Sequence, residues 1–335
     1  MKLVYIVHEE GEEQIVRGGL QGWDVVFANG ALHEQTAIAD PEAEALSVFV
    51  NSKVNAAVMD RFPKLRFIAT RSTGFDHIDL AEATKRGITV SSVPRYGVET
   101  VAEFAFALLL SLTRLVAKSY LRIHNEGAFS QDGLRGIDLS AKTMGIIGMG
   151  SIGMHAAKIA KGFGMAVVAY DPFERPEMAK EIGFTYMKFD DLLAASDIIS
   201  IHALLTPQTQ HMINHDAFAK MKRGVYIVNT ARGGLVDTMA LVEALENGTV
   251  AGAGLDVIEG EDAMMSEEKV LAQQPPDAEA MRSALSGHVL AKHPRVILTP
   301  HIAFNSAEAV RRIIDTSIEN LKAFANGAPQ NVVKG

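Results

Sequence analysis

The chain contains no cysteine. That single absence removes disulfides, thiolate nucleophiles and cysteine-ligated metals together. The 11 histidines show no HExxH or comparable ligand spacing, so no metal site is expected. Basic residues are outnumbered, 32 Lys and Arg against 40 Asp and Glu, and the net charge is −8. With no basic tail to compensate, general nucleic-acid binding is disfavoured. Long hydrophobic runs are missing as well. The apolar run at the N-terminus, MKLVYIVHEEGEE, is too short for a signal h-region and is followed at once by acids. The longest helical apolar stretch, residues 101–116, is interrupted by Glu103, Ser111, Thr113 and Arg114, so no membrane span and no membrane partner are expected. Internal repeats and low-complexity tracts are absent. What remains is a chain of 335 residues, 48% hydrophobic and 21% charged, long enough for two globular domains. A cytoplasmic enzyme is the default expectation.

Short apolar runs alternate with helical patterns from end to end, the signature of parallel α/β sheets. A first set of strands is expected at residues 3–7, 25–27, 46–50, 67–69 and 88–90. A second set is expected at 144–147, 166–170, 198–201, 225–228, 253–255 and 296–298. One long helical segment, residues 99–124, separates them. A helix over 306–324, with Ala309, Val310, Ile313, Ile314, Ile318, Leu321 and Phe324 at helical spacing, has no strand after it and is expected to return to the first domain. The division is therefore 1–98 plus 302–335 for one domain and 99–301 for the other. Residues 262–293, which contain Gln273-Gln274-Pro275-Pro276, are the least regular part and read as a surface excursion between two strands. The helix from Glu99 is apolar around much of its circumference, at Val101, Phe104, Ala105, Phe106, Leu108, Leu109, Leu110, Leu112 and Leu115. One domain face cannot cover all of these, which predicts a homodimer burying part of the helix.

The most informative stretch is Thr143 to Gly153, TMGIIGMGSIG. An apolar run ends in Gly148-Met149-Gly150-Ser151-Ile152-Gly153, and an amphipathic pattern follows. Strand, glycine turn and helix form the context a dinucleotide fingerprint requires. Gly148 permits the turn, Gly150 lets backbone approach a pyrophosphate, and Gly153 lets helix and strand pack closely. The next apolar run ends in Asp171, near the roughly 20-residue offset expected of an acid that binds the adenine ribose. A carboxylate there repels a 2′-phosphate, so the cofactor expected is NAD.

Three later strand ends carry reactive side chains. Val228-Asn229-Thr230-Ala231-Arg232 delivers an arginine whose planar fork suits a carboxylate. Gly254-Leu255-Asp256-Val257 leads to Glu261, and Thr299-Pro300 leads to His301. Ligands of open α/β sheets gather at such strand ends. Taken singly, Arg232 could be a surface residue, Glu261 a solvated acid and His301 the cap of a strand end. Together they form the set that keto-acid reduction needs. A cation holds the carboxylate and polarises the carbonyl, and a histidine protonates the oxygen. A neighbouring carboxylate favours the protonated ring and fixes its orientation. Asp256 reads either as a helix N-cap or as a nicotinamide contact, and its apolar flank favours a dedicated partner. His202 reads equally as a cofactor-side contact or a core histidine. His77, between Asp76 and Asp79, reads as structural.

These segments, with Arg71-Ser72-Thr73-Gly74-Phe75-Asp76, resemble the D-isomer-specific 2-hydroxyacid dehydrogenase family over nearly the whole chain. The resemblance implies a Rossmann-type, doubly wound parallel-sheet NAD domain inserted in a flavodoxin-like α/β catalytic domain, with an active cleft between them. It implies Arg232 as carboxylate anchor, His301 as acid/base and Glu261 as its partner. The cofactor set comprises Gly148, Gly150, Ser151, Ile152, Gly153, Asp171, His202, Thr230, Ala231 and Asp256. Thr73 and Gly74 would offer backbone amides to the substrate carboxylate. Homodimers formed through the NAD domain are usual in the family. Tyr96 and Phe304 look most like the D-lactate dehydrogenase branch and would line the side-chain pocket. The partner expected is a small 2-keto acid. Glyoxylate or hydroxypyruvate reduction is the alternative within the family, and an NAD-sensing corepressor is the alternative outside catalysis. Three departures from the family pattern stand out. Leu204 occupies a common proline position, Ala141 replaces a common glycine and is expected to be harmless, and the Asn51-Ser52-Lys53 loop lacks an aromatic found in some lactate enzymes.

Overall fold

Among the residues that the structure describes, 1–8, 10–261 and 278–333 of a computed structural model, every ladder between strands is parallel. The chain divides into two units, Met1–Tyr96 with Asn305–Gly335, and Gly97–Phe304.

The first unit holds strands β1 (Lys2–Val7), β2 (Asp24–Asn29), β3 (Ala45–Val48), β4 (Phe67–Thr70) and β5 (Thr89–Ser91), in the order β2-β1-β3-β4-β5. This is the flavodoxin-like order. Strands β3 and β4 are buried at every residue because helices cover both faces. On one face, α1 (Glu12–Gly19) and α12 (Ala307–Ala325) bring Val16, Ile314, Ile318 and Leu321 onto Leu3, Tyr5 and Phe67. On the other, α2 (Ala56–Met59) and α3 (Leu80–Lys85) pack Val58, Met59 and Ala83 onto Val4, Leu46 and Ile68. Ser306 starts α12 as its N-cap by accepting from the Ala309 amide.

The second unit is a seven-stranded sheet. Its strands are β6 (Thr143–Ile147), β7 (Ala166–Tyr170), β8 (Thr185–Tyr186), β9 (Ile198–Ile201), β10 (Val225–Asn229), β11 (Val250–Leu255) and β12 (Val296–Leu298), ordered β12-β11-β10-β9-β6-β7-β8. Strand order reverses between β6 and β9, the doubly wound Rossmann arrangement with its switch point there. One face carries α4 (Val98–Thr113), α6 (Ser151–Gly162) and α7 (Pro176–Ile182). The other carries α8 (Phe189–Ala195), α9 (His215–Lys220), α10 (Thr238–Glu246) and α11 (Ala278–Lys292). Strand β8 was not anticipated, since two residues give no periodicity. Residues 278–292 are helical rather than irregular, and the rest of the expected excursion, residues 262–277, lies outside the described residues.

The long helix expected over 99–124 is two helices. Leu115 takes a left-handed φ of 54°, and α5 (Val116–Glu126) leaves α4 at a bend of 63°. The Thr113 carbonyl, needed to continue the helix, accepts instead from the Ile137 amide. The break also changes where the apolar surface lies. Helix α4 is covered by its own unit, because it packs on α6 and on β10 and β11 at once. Val101, Ala105, Phe106, Leu108, Leu109 and Leu112 are all buried there. Gly254 permits this approach, since a Cβ on it would sit 3.0 Å from Leu108 Cβ. Phe104, Leu110 and Leu115 remain partly exposed. Helix α5 instead has no buried residue and leaves Val116, Tyr120, Leu121 and Ile123 half exposed. No single described helix is long and apolar enough to cross a membrane.

Ala141 is less harmless than its size suggests. It adopts φ 61°, a left-handed conformation that costs an L-residue roughly 1–2 kcal/mol and glycine nothing. Glycine is more flexible when unfolded, which offsets part of that gain. Ala141→Gly should therefore stabilise the protein by up to about 1 kcal/mol, a Tm rise of about 2–4 °C. Differential scanning calorimetry of the variant checks this, and a lowered Tm would refute it.

Candidate active site

The site is built on the carboxyl edge of the second sheet, beginning at the switch point. Gly148 ends the turn after β6 with φ 94°, and a Cβ there would lie 2.5 Å from the Ala203 amide nitrogen and 2.6 Å from the His202 carbonyl carbon. The loops after β6 and β9 thus touch backbone to backbone, which only glycine allows. Gly153, in the first turn of α6, leaves no room for a Cβ against the Gly148 carbonyl. Gly150, between them, faces open space. The two outer glycines close the fold while the middle one keeps a surface clear at the start of α6, where Ser151 and Ile152 begin the helix and its dipole favours an anion. Asp171, at the end of β7, accepts from the Met149 amide at 2.6 Å and the Phe173 amide at 2.8 Å, so the carboxylate is locked to the glycine turn.

Two neighbours complete this side. His202 sits directly against Gly148, with its Nε2 2.9 Å from Ser200 Oγ. The residue is half-buried, and desolvation pulls its pKa from 6.5 down to about 4, so it is neutral at neutral pH. Thr230 follows β10, and its buried Oγ1 has no hydrogen-bond partner. Orphaned buried hydroxyls are uncommon and cost about 1–3 kcal/mol. The open backbone at Gly150, the fixed Asp171 and this unsatisfied hydroxyl are what a bound dinucleotide would occupy, so the residues present fit NAD.

The next strand end shapes the loop that carries Arg232. Asn229, buried at 1% exposure, accepts from the Ala231 amide at 3.0 Å and donates to the Arg232 carbonyl at 2.9 Å. Arg232 is half-buried, with Nη1 donating to the Ala231 carbonyl at 2.8 Å. Gly233 then lies so close to the backbone of Ile258 and Glu259 that no Cβ fits. The loop after β10 and the loop after β11 are pressed together.

His301 and Glu261 meet as expected, with Nδ1 3.0 Å from Oε1. Glu261 accepts from the Nδ1–H, which leaves Nε2 outside the pair. The backbone of His301 is left-handed, φ 54°. Asp256 holds it there. The Asp256 carboxylate is 1% exposed and accepts from Thr299 Oγ1 (2.6 Å), the Ile302 amide (2.9 Å) and the Ala303 amide (2.7 Å), while its carbonyl accepts from the His301 amide (2.9 Å). The dedicated partner expected of Asp256 is thus the His301 loop. This is neither a helix N-cap nor, through these bonds, a cofactor contact.

In the first unit, the loop after β4 is equally fixed. Ser72 Oγ donates to the Gly74 carbonyl (2.6 Å), Thr73 Oγ1 to the Val93 carbonyl (2.9 Å), and the Val93 amide to the Ser72 carbonyl (2.9 Å). His77 is structural, its Nε2 3.0 Å from Thr70 Oγ1. The Tyr96 carbonyl accepts from Arg312 Nε on α12 (2.8 Å). Phe304 is half-buried at the end of the second unit. Beneath the Ser72–Gly74 loop lies a group the sequence reading missed. Arg71, 1% exposed, pairs with Glu12 at 2.7 Å and donates to Tyr5 Oη (2.5 Å) and to the Ile6 carbonyl. Burial pushes the Tyr5 hydroxyl up to about 12. A charge ending the apolar run of β4 was the visible signal for Arg71, but nothing local marked Glu12 as its partner.

A dinucleotide cradle beside a guanidinium and a histidine–carboxylate pair is the equipment of a hydride-transfer oxidoreductase. Comparison with known proteins agrees. Residues 106–303 match the family D-isomer specific 2-hydroxyacid dehydrogenase, NAD binding domain. The chain is 37% identical over 308 residues to D-lactate dehydrogenase of Escherichia coli K12, covering 91% of each. It is 40% identical over 299 residues to glyoxylate reductase of Korarchaeum cryptofilum, covering 87% of this chain and 83% of that one. It superposes on D-lactate dehydrogenase of Aquifex aeolicus, solved with NAD and lactic acid, with a TM-score of 0.85 at 35% identity over 97% of this chain and 96% of that one. The chain belongs to the D-isomer-specific 2-hydroxyacid dehydrogenase family, and its cofactor is NAD.

The neutral, half-buried His202 sets a pH dependence. The unfolded chain protonates this group near pH 6.5, the folded one only near pH 4. Its contribution to stability is complete above about pH 6.5 and is lost as pH falls toward 4. His202→Gln should flatten the decline of Tm across that window, and a decline as steep as wild type would refute the assignment.

Proposed function

We propose that the protein reduces small aliphatic 2-keto acids to D-2-hydroxy acids with NADH, with a D-lactate-like pocket, in the cytoplasm. The observation that carries this reading is the His301–Glu261 pair, held by Asp256 on the same sheet edge as the glycine turn and Arg232. We assign the unit Gly97–Phe304 to NAD and the unit Met1–Tyr96 with Asn305–Gly335 to substrate. NADH, when bound, supplies the hydride that reaches the carbonyl carbon. The chain supplies the rest. Arg232 holds the carboxylate through its fork and polarises the carbonyl. His301 gives the Nε2 proton to the carbonyl oxygen, and Glu261 orients the ring and balances the imidazolium before transfer. Thr73 and Gly74 offer amides to the carboxylate, since among the described residues neither N–H has a hydrogen-bond partner. Tyr96 and Phe304 form the apolar wall beside the substrate side chain, where each buried methylene contributes about 0.8 kcal/mol. Asp171 sets the preference for NADH over NADPH.

The oligomer we propose is a homodimer joined through α5. Its Val116, Tyr120 and Ile123 recur at helical spacing on one exposed face, and Phe129 beyond it is 94% exposed. A face of this kind on a globular chain marks an association surface. Light scattering should give twice the chain mass, and a monomer at micromolar concentration would refute it.

Steady-state kinetics with NADH and a panel of 2-keto acids tests the substrate reading. Pyruvate or slightly longer aliphatic acids should exceed hydroxypyruvate and glyoxylate in kcat/KM. A tenfold preference for either of the latter would refute the pocket and leave the reaction class standing, whereas no turnover of any acid would point to a sensor. Arg232→Lys should lower kcat/KM by about 100-fold or more, roughly 3 kcal/mol, because charge survives but the bidentate fork does not. Glu261→Gln should move the high-pH limb of reduction toward acid, because the charge that favours imidazolium is gone. A near-wild-type lysine variant or an unmoved limb would remove the corresponding residue from its role.

A further inference from the structure

Among its described residues the loop after β11 carries two glutamates, and each has its own histidine. Glu261 pairs with His301. Glu259 pairs with His211, Nε2 to Oε1, at 2.6 Å and also accepts from Gln210 Nε2 at 3.3 Å. Gly260 stands between the glutamates with a left-handed φ of 69°. His211 belongs to the loop after β9, so the Glu259 pair joins strand ends that are not neighbours in the sheet order. The loop after β10 is caught between them. The His211 amide donates to the Gly234 carbonyl at 2.8 Å, a Cβ on Gly234 would lie 3.0 Å from Gln210 Oε1, and Gly233 presses on the Ile258–Glu259 backbone. Arg232 is therefore clamped from one side by the His211 loop and from the other by the Glu259 loop.

His211 has a left-handed backbone, φ 50°, as His301 has. A β-carbon-bearing residue holds that conformation only where its surroundings over-determine it, and such strain collects at functional sites. The side chains of His211 and Glu259 are 39% and 34% exposed, and ion pairs at such exposure add little stability.

We infer that Glu259 and His211 are positioning residues for the reaction, a strut that fixes Arg232 relative to Glu261. The inference rests on the reading that Arg232, Glu261 and His301 carry the chemistry. Substrate carboxylate and transferred proton must be held at one separation, and an error of about 1 Å costs on the order of 100-fold in rate. A strut between the two loops supplies that tolerance without touching substrate.

The test is kinetic, on the full-length protein. Glu259→Ala should lower kcat for keto-acid reduction by about tenfold or more, while the KM for NADH and the Tm stay at wild-type values. The cradle of Gly148, Gly150 and Asp171 does not depend on the strut. Glu259→Gln keeps an oxygen for His211 and Gln210 and should restore most of the lost kcat. His211→Ala should match Glu259→Ala, and the double variant should be no worse than either single one. Wild-type kcat in Glu259→Ala, a glutamine variant as poor as alanine, or additive losses in the double variant would each overturn the strut. Arg232→Lys and Glu261→Gln, measured in parallel, separate the two ideas. If they are impaired and Glu259→Ala is not, only the strut fails. If they too are unimpaired, the reading beneath it has failed.

Discussion

Asp256 is a carboxylate at 1% exposure whose two oxygens and carbonyl take four donors from residues 299–303. A charge so placed is tolerable only because those donors replace the water it lost. The geometry of the reactive edge depends on that exchange. The bonds bend the chain after β12 back over the end of β11 and force His301 into a left-handed backbone. They thereby set the imidazole beside Glu261 rather than out along the strand direction. The pair is therefore a product of a buried anion one strand away more than of its own 3.0 Å contact.

The same edge shows two ways of bringing loops together. Between β6 and β9, and again between the loops after β10 and β11, glycines let backbone meet backbone. Elsewhere side chains span the gap, as Asn229 does within its own loop and Glu259 does toward His211. Backbone contact through glycine is rigid and indifferent to pH and salt. Side-chain struts are adjustable, and on this edge they stand beside the glycine contacts rather than in place of them.

Much of this was legible in the sequence because it is periodic or local. Apolar runs marked eleven of the twelve strands, and the glycine spacing marked the turn whose three residues prove to have three different surroundings. The placement of Arg232, Glu261 and His301 on one sheet edge was readable because each follows a strand of a parallel sheet. What escaped was long-range. The bend at Leu115 goes with a carbonyl captured by Ile137, so one long helix was read where there are two, and most of the apolar surface of α4 is met within its own unit. Arg71 and Glu12 are 59 positions apart, and only the fold of the first unit reveals that they share one buried site. Ala141 looked neutral because side-chain size, unlike φ, is visible in a sequence.

The discontinuity of the first unit bears on how the protein is made. Its sheet is complete by residue 91, yet part of one face of that sheet is covered by α12, which lies beside α1 and closes Ile314, Ile318 and Leu321 over Leu3, Tyr5 and Phe67. A ribosome releases the strands long before it releases that helix. Through the synthesis of the entire second unit, the nascent chain carries an apolar sheet face that α1 covers only in part, the kind of surface that aggregates or recruits a chaperone. The second unit, by contrast, is contiguous in sequence. Yield in the cell is thereby tied to how quickly the last helix arrives, a kinetic burden that leaves no trace in the folded protein.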